Sequence, residues 1–189
     1  YRPYICPFDS LINCVKGETM LDIGCGGGLF LNLLAYFNKI KIGVGYDISQ
    51  KQIDLAKQTF NSQKIIGGVD LQFIVQSKHD EIPESLYDVV SLIDVIHHIP
   101  SDKQIIFLSN AISRVKPGGI FIYKDMSTKP MFYALINRIH DLILAKQWIH
   151  YLSLEKVLEV FNKEGFSLIQ SEDILKGCYH HNLLVFKKN

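Results

Sequence analysis

The chain lacks a basic tract. Lys and Arg number 20 against 19 Asp and Glu, for a net charge of +1 over 189 residues. That balance leaves no electrostatic footprint for nucleic acid and no polybasic anchor for an anionic membrane. Cysteine is sparse. Cys6, Cys14, Cys25 and Cys178 form no CxxC pair and have no ligand-like spacing to histidines. They are expected to be thiols in a reducing, cytoplasmic setting, neither a disulfide frame nor a zinc site. No apolar run approaches the roughly 20 residues a membrane helix needs. No signal-peptide pattern opens the chain, which begins at Tyr1 and not at Met.

What is present is a regular alternation. The hydrophobic share of 48% suits one domain with a full core. "ETMLDI" (18–23), "KIGVGYDI" (41–48), "LQFIVQS" (71–77), "LYDVVSLI" (86–93) and "IFIYKDM" (120–126) read as five buried strands. Between them, Phe30, Leu33, Leu34 and Phe37 stripe one helix, and Ile53, Ala56 and Phe60 a second. Ile105, Leu108, Ile112 and Val115 stripe a third, which stops at the "KPGG" turn (116–119). Strands alternating with helices predict a parallel sheet covered on both faces. Amphipathic helices are expected over 131–147 and 153–164. "FSLIQSEDI" (166–174) and "HNLLVFKK" (181–188) are spaced for an antiparallel pair at the sheet edge. No repeat or linker divides the chain, so residues 1–189 read as one domain.

The first strand runs into "GCGGG" (24–28). Such a turn costs backbone entropy and lets a ligand approach where side chains would block it. The spacing is GxGxG, and Leu29 stands where a dinucleotide fingerprint needs its third glycine. No GK[ST] follows, so a P-loop is absent as well. Asp47 lies at the tip of the second strand, where a carboxylate can accept from both hydroxyls of a ribose. It could instead cap the helix that starts near Ser49; of the two we read the ribose role, because Ser49 can cap by itself.

Taken together, "LDIGCGGG" (21–28), "VGYD" (44–47), "LYDVVSLIDVIHHIP" (86–100) and "RVKPGGIFIYKD" (114–125) resemble the class I methyltransferases that use S-adenosylmethionine. The resemblance covers about 15–125 and 150–188. It implies an α/β, Rossmann-like, doubly wound and mostly parallel seven-stranded sheet, with an antiparallel C-terminal edge hairpin in a three-layer αβα sandwich. It implies cofactor contacts from Gly24, Cys25, Gly26, Gly28, Asp47 and Asp94, with Asp22 near the ligand's amino-acid end. Ile48 is an apolar platform for the adenine ring or ordinary core. In many relatives an acid closes the third strand. The matching position here is Ser77, with Asp80 three residues on.

A sulfonium methyl leaves by in-line displacement, and a neutral phenol or alcohol acceptor needs a base. His98, after the fourth strand, is one candidate, with its neighbour His97. His140 and His150 are others, in "NRIHDLILAKQWIHY" (137–151), which could converge on the opening with "CYHH" (178–181). Each could equally be a structural or solvent-facing histidine. Residues 1–15 and 127–152 are expected to border the substrate entrance. No spacing supports a metal site. The [DNS]PP[YF] tetrapeptide of amino-group methyltransferases is absent, and no Cys lies between 26 and 177 to attack a cytosine ring. The acceptor is therefore expected to be a small molecule, first a hydroxylated aromatic or polyketide-like compound methylated on oxygen. C-methylation of a quinone-like ring and a non-catalytic cofactor-binding module are the alternatives.

Overall fold

The computed structural model describes residues 6–62, 68–76, 82–126, 150–176 and 179–189. Seven strands form one sheet: β1 (Thr19–Ile23), β2 (Ile42–Asp47), β3 (Asp70–Val75), β4 (Tyr87–Ile93), β5 (Val115–Met126), β6 (Phe166–Lys176) and β7 (Tyr179–Lys188). Their spatial order is β3-β2-β1-β4-β5-β7-β6, parallel from β3 to β5. β7 inserts antiparallel between β5 and β6, with Lys124 opposite Leu183 and Met126 opposite His181.

Helices α1 (Phe8–Cys14), α2 (Leu29–Tyr36) and α3 (Gln50–Ser62) cover one face, and α4 (Gln104–Ile112) and α5 (Leu154–Lys163) the other. The expected layers are therefore present. α5 shows how sequence builds them. The Ser153 hydroxyl caps it by accepting from the Lys156 N–H, Glu155 sits in its first turn and Lys163 in its last. Val157, Val160 and Phe161 recur on one stripe and are buried. The Phe161 ring stacks on Phe186 at 3.7 Å and meets Phe121 edge-on at 5.1 Å.

Four details differ from the sequence expectation. Val115 begins β5 instead of ending the third helix. "KPGG" then lies within the strand as an irregularity, where the register moves from Tyr87–Val115 to Val89–Ile120. In α4 the inward stripe is Phe107, Leu108, Ala111 and Ile112, leaving Ile105 exposed. Phe37 closes α2 on the surface, because α2 is apolar on most sides and buries Leu31 and Ala35 instead. α1 falls within the segment expected to border the entrance, yet Leu11, Ile12 and Cys14 are core residues packed toward α2. The helix expected over 131–147 lies outside the described residues.

A polar cluster ties together the amino ends of β1 and β4. Asp88 Oδ2 accepts from the backbone N–H groups of Glu18 and Thr19 and from the Thr19 hydroxyl, while Lys116 Nζ reaches Oδ1 at 2.7 Å. Partial burial works to raise the Asp88 carboxyl. The Lys116 and Thr19 hydrogen bonds outweigh it and hold the group down at about 2.

Candidate active site

The chain leaves β1 toward one face and β4 toward the other, so a crevice opens at the carboxyl ends between them. The glycine turn forms its floor. Gly24, Gly26 and Gly28 all have left-handed backbones, with φ of +69°, +54° and +69°. A Cβ on Gly24 would stand 2.5 Å from Val95 Cγ2, and one on Gly28 would stand 2.7 Å from both Ala56 and the Phe73 ring. Side chains are thus excluded here by conformation and by space. The N–H groups of Gly24 and Cys25 both donate to the Tyr46 carbonyl, and the buried Asn32 amide donates to the Gly28 carbonyl at 2.9 Å.

Asp47, at the tip of β2, holds this turn in shape. Its Oδ2 accepts from the Gly26 N–H and its Oδ1 from the Ser49 N–H, both at 2.9 Å. The Ser49 hydroxyl accepts from Gln52 N–H at 3.4 Å and starts α3. The helix-cap reading and the ligand reading therefore coexist: Ser49 caps, while each Asp47 oxygen keeps acceptor capacity beyond its one backbone partner.

Above the turn lies a cavity of about 620 Å³, well inside the range of small-molecule sites. One side is built by Gly24, Gly26, Gly27, Asp47, Ile48 and Leu55, the other by Asp94, Val95, His98, Ile99 and Phe107. Ile48 is half exposed and faces this cavity, so it is a wall of the pocket and not core. Tyr46 also lines it. Burial pushes its phenol far above the ordinary range, and its hydroxyl has no hydrogen-bond partner among the described residues. The residues fit the expected cofactor: a side-chain-free cradle, a carboxylate with spare acceptor sites beside it, and apolar surface at Ile48 and Leu55 for a planar base.

The opposite rim is organised by β4 and β5. Asp94 follows β4 in a left-handed backbone (φ +55°), and Lys124 Nζ meets both its carboxylate oxygens at 2.7 Å. Lys124 is only 1% exposed. The next residue, Asp125, points to the other face, where its Oδ1 pairs with His97 Nδ1 at 2.5 Å and accepts from the Met126 N–H. Both members of that pair are buried. The His97 and His98 rings touch at 4.1 Å between centroids, and His98 is exposed on the pocket wall. The His150 N–H donates to the His97 carbonyl, and the Gln104 amide donates to the carbonyls of Ile96 and His150. His98 and His150 are therefore brought to the same turn. Among the described residues no three His, Cys, Asp or Glu side chains gather as a metal cluster.

Asp22 is buried on β1, where the Ser91 hydroxyl donates to it at 2.6 Å. It borders a second, small cleft with Cys6, Phe8, Gly24 and Cys25 instead of the main cavity. His181 is buried on β7 beside Met126, and His180 pairs with Asp173 across the hairpin at 3.0 Å. Ser77, Asp80, His140 and Cys178 lie outside the described residues. The sequence reading missed both Lys124 and the pairing of His97 with Asp125. The only local signal was charge inside a buried strand: "IYKDM" puts Lys124 and Asp125 where apolar residues were due.

Comparison with known proteins agrees with this geometry. A family model described as a methyltransferase domain matches residues 8–171. The ubiquinone biosynthesis O-methyltransferase of Coxiella burnetii (strain Dugway) is 31% identical over 181 residues, covering 89% of this chain and 70% of that protein. Its counterpart in Paramagnetospirillum magneticum is 30% identical over 127 residues, or 67% of this chain and 48% of the relative. The Rickettsia conorii protein is 28% identical over 94% of this chain and 60% of its own length. The chain thus spans about half to 70% of these relatives. Among solved structures, the magnesium protoporphyrin IX methyltransferase of Synechocystis with bound SAH superposes with a TM-score of 0.79 at 20% identity, covering 96% of this chain and 82% of that one. An O-methyltransferase family protein from Burkholderia thailandensis gives 0.77 at 18%, covering 96% and 55%. At these identities the structural likeness is one of fold. The family match, running through every strand end that builds the pocket, is what decides membership: the chain belongs to the class I S-adenosylmethionine-dependent methyltransferases.

Proposed function

We propose that the chain transfers a methyl group to a hydroxyl of a small, hydroxylated aromatic acceptor. The observation that carries this reading is the cavity itself, apolar on its walls, with one imidazole, His98, on the rim opposite Asp47. The O-methyltransferase relatives favour oxygen as the acceptor atom. S-adenosylmethionine, when bound, supplies an electrophilic methyl on a sulfonium. Asp22, Gly24, Cys25, Gly26, Gly28, Asp47, Ile48, Ser77 and Asp94 are its proposed contacts, Asp47 through the ribose hydroxyls and Asp22 through the amino-acid end. Asp22 would act from behind the turn, across the small cleft it shares with Gly24 and Cys25.

On the acceptor side, His98 takes the hydroxyl proton. Burial of the neighbouring His97 against Asp125 fixes the turn that carries it. His150, tied by its backbone to His97, stands second as the base, and His140 is the remaining candidate from the same stretch. Apolar walls exclude water, so orientation of acceptor against methyl lowers the barrier. We further propose that residues 1–15 and 127–152 border the entrance; the seating of Cys6 and Phe8 against Gly24 and Cys25 supports this for the first. C-methylation of a quinone-like ring remains the second reading, favoured by the apolar character of the same walls. The test is turnover with labelled S-adenosylmethionine and a panel of catechols, phenols and quinones. Methyl ethers as products support the reading, and ring-methylated products replace it with the second. No turnover, with cofactor binding intact, would make the chain a binding module.

A further inference from the structure

Lys124 is the one lysine of the described residues that the core encloses, and its position has consequences for charge in the pocket. It lies on β5 beneath the rim. Its ammonium bonds both oxygens of Asp94, and the Asp94 N–H donates back to the Lys124 carbonyl at 2.8 Å. Asp94 is held in a left-handed conformation that a non-glycine residue adopts at some cost, so the clamp also fixes where the carboxylate points. That carboxylate belongs to the pocket lining and keeps 16% of its side-chain surface exposed, whereas the lysine has almost none. A ligand in the cavity therefore meets an aspartate whose charge is matched from behind.

The cavity itself suggests which part of the ligand lies there. Ile48 and Leu55 give its β2 side an apolar surface suited to an adenine ring, and Asp47, beside them, would take the ribose on the cofactor reading above. The sulfur, joined to the far end of that ribose from the base, would then lie toward the β4 side. Resting on the cofactor reading above, we propose that Lys124 is a positioning residue. Its ion pair with Asp94 sets the charge that faces the sulfonium, so that the cationic substrate form of the cofactor is not held in preference to its neutral thioether product. Without the lysine's charge behind it, Asp94 would attract the sulfonium. In a partly dry pocket an unbalanced unit charge several ångströms away is worth a large factor in affinity. The substrate would then gain ground-state binding as its charge is retained, which opposes a transfer in which that charge is lost.

Separate calorimetric titrations with S-adenosylmethionine and S-adenosylhomocysteine test this, because the two ligands share every group except the charged methylsulfonium. Lys124→Met should shift the ratio of the two dissociation constants toward S-adenosylmethionine by about five-fold or more. Asp94→Asn, which leaves the lysine's charge behind the rim without that carboxylate, should shift it the other way. The double variant should return within about two-fold of the parent ratio. A purely structural role would weaken both ligands in parallel, and a ratio that stays constant in Lys124→Met and Asp94→Asn overturns the proposal. If Lys124→Met does not fold, the Asp94→Asn shift decides alone. Failure of the parent chain to bind either ligand would remove the cofactor reading instead, so the two failures are separable.

Discussion

The two rims of the pocket are built differently. The β1–β2 rim is backbone: three left-handed glycines, carbonyls and N–H groups, with Asp47 joining two of them. The β4–β5 rim is side chains paired across strands: Asp94 with Lys124 on one face and His97 with Asp125 on the other. A rim of backbone holds a constant ligand and tolerates no variation in shape. A rim of paired side chains can be retuned one residue at a time, which suits the side where we propose that the acceptor is deprotonated.

That contrast can be broken experimentally. The largest effect is expected at His98. His98→Ala should lower kcat by about 10²-fold or more with little change in cofactor affinity, as removal of a general base does. His150→Ala run in parallel decides between them, because only the base shows the full loss; an unaltered kcat in His98→Ala passes the role to His150. On the backbone rim, Gly28→Ala should cost about 2–4 kcal/mol of stability, since it forces a strained conformation and drives a methyl into Ala56 and Phe73. Thermal or denaturant unfolding reads this, and a variant as stable as the parent would mean the turn is not tightly seated.

Asp47→Ala should weaken cofactor binding by about 1–2 kcal/mol, from lost hydrogen bonds to the ribose and a loosened Gly26 anchor, while leaving acceptor chemistry alone. The smallest effect lies away from both rims. Asp88→Asn should lower stability by about 1 kcal/mol after allowing for the solvent that reaches Asp88 and Lys116. Because the folded carboxyl sits below its unfolded value, that contribution is complete above about pH 4 and fades as pH falls toward 2. The difference in stability between parent and variant should therefore shrink on acidification and stay flat near neutrality.

The sequence made one rim legible by local rules and named Asp94 and His98 on the other, but hid the pairings that build it, for a physical reason. Left-handed turns favour glycine, and a strand-tip carboxylate follows the second strand at a fixed distance, so Gly24, Gly26, Gly28 and Asp47 can be read locally. Pairings such as Lys124–Asp94 span 30 residues and exist only once β4 and β5 lie side by side. The alternation of strands and helices was legible because buried strands carry long apolar runs. The start of β5 was not, since "KPGG" has the composition of a turn and yet forms a strand irregularity. Helix α1 carries too few residues for periodicity to reveal its buried face.

The central claim is that the glycine turn and Asp47 hold S-adenosylmethionine, and titration calorimetry of the parent chain beside Asp47→Ala tests it most directly. The account predicts micromolar binding of both S-adenosylmethionine and S-adenosylhomocysteine by the parent, weakened about ten-fold for both in the variant. Equal affinity in parent and variant would mean the ribose is held elsewhere, and no binding by the parent would contradict the account.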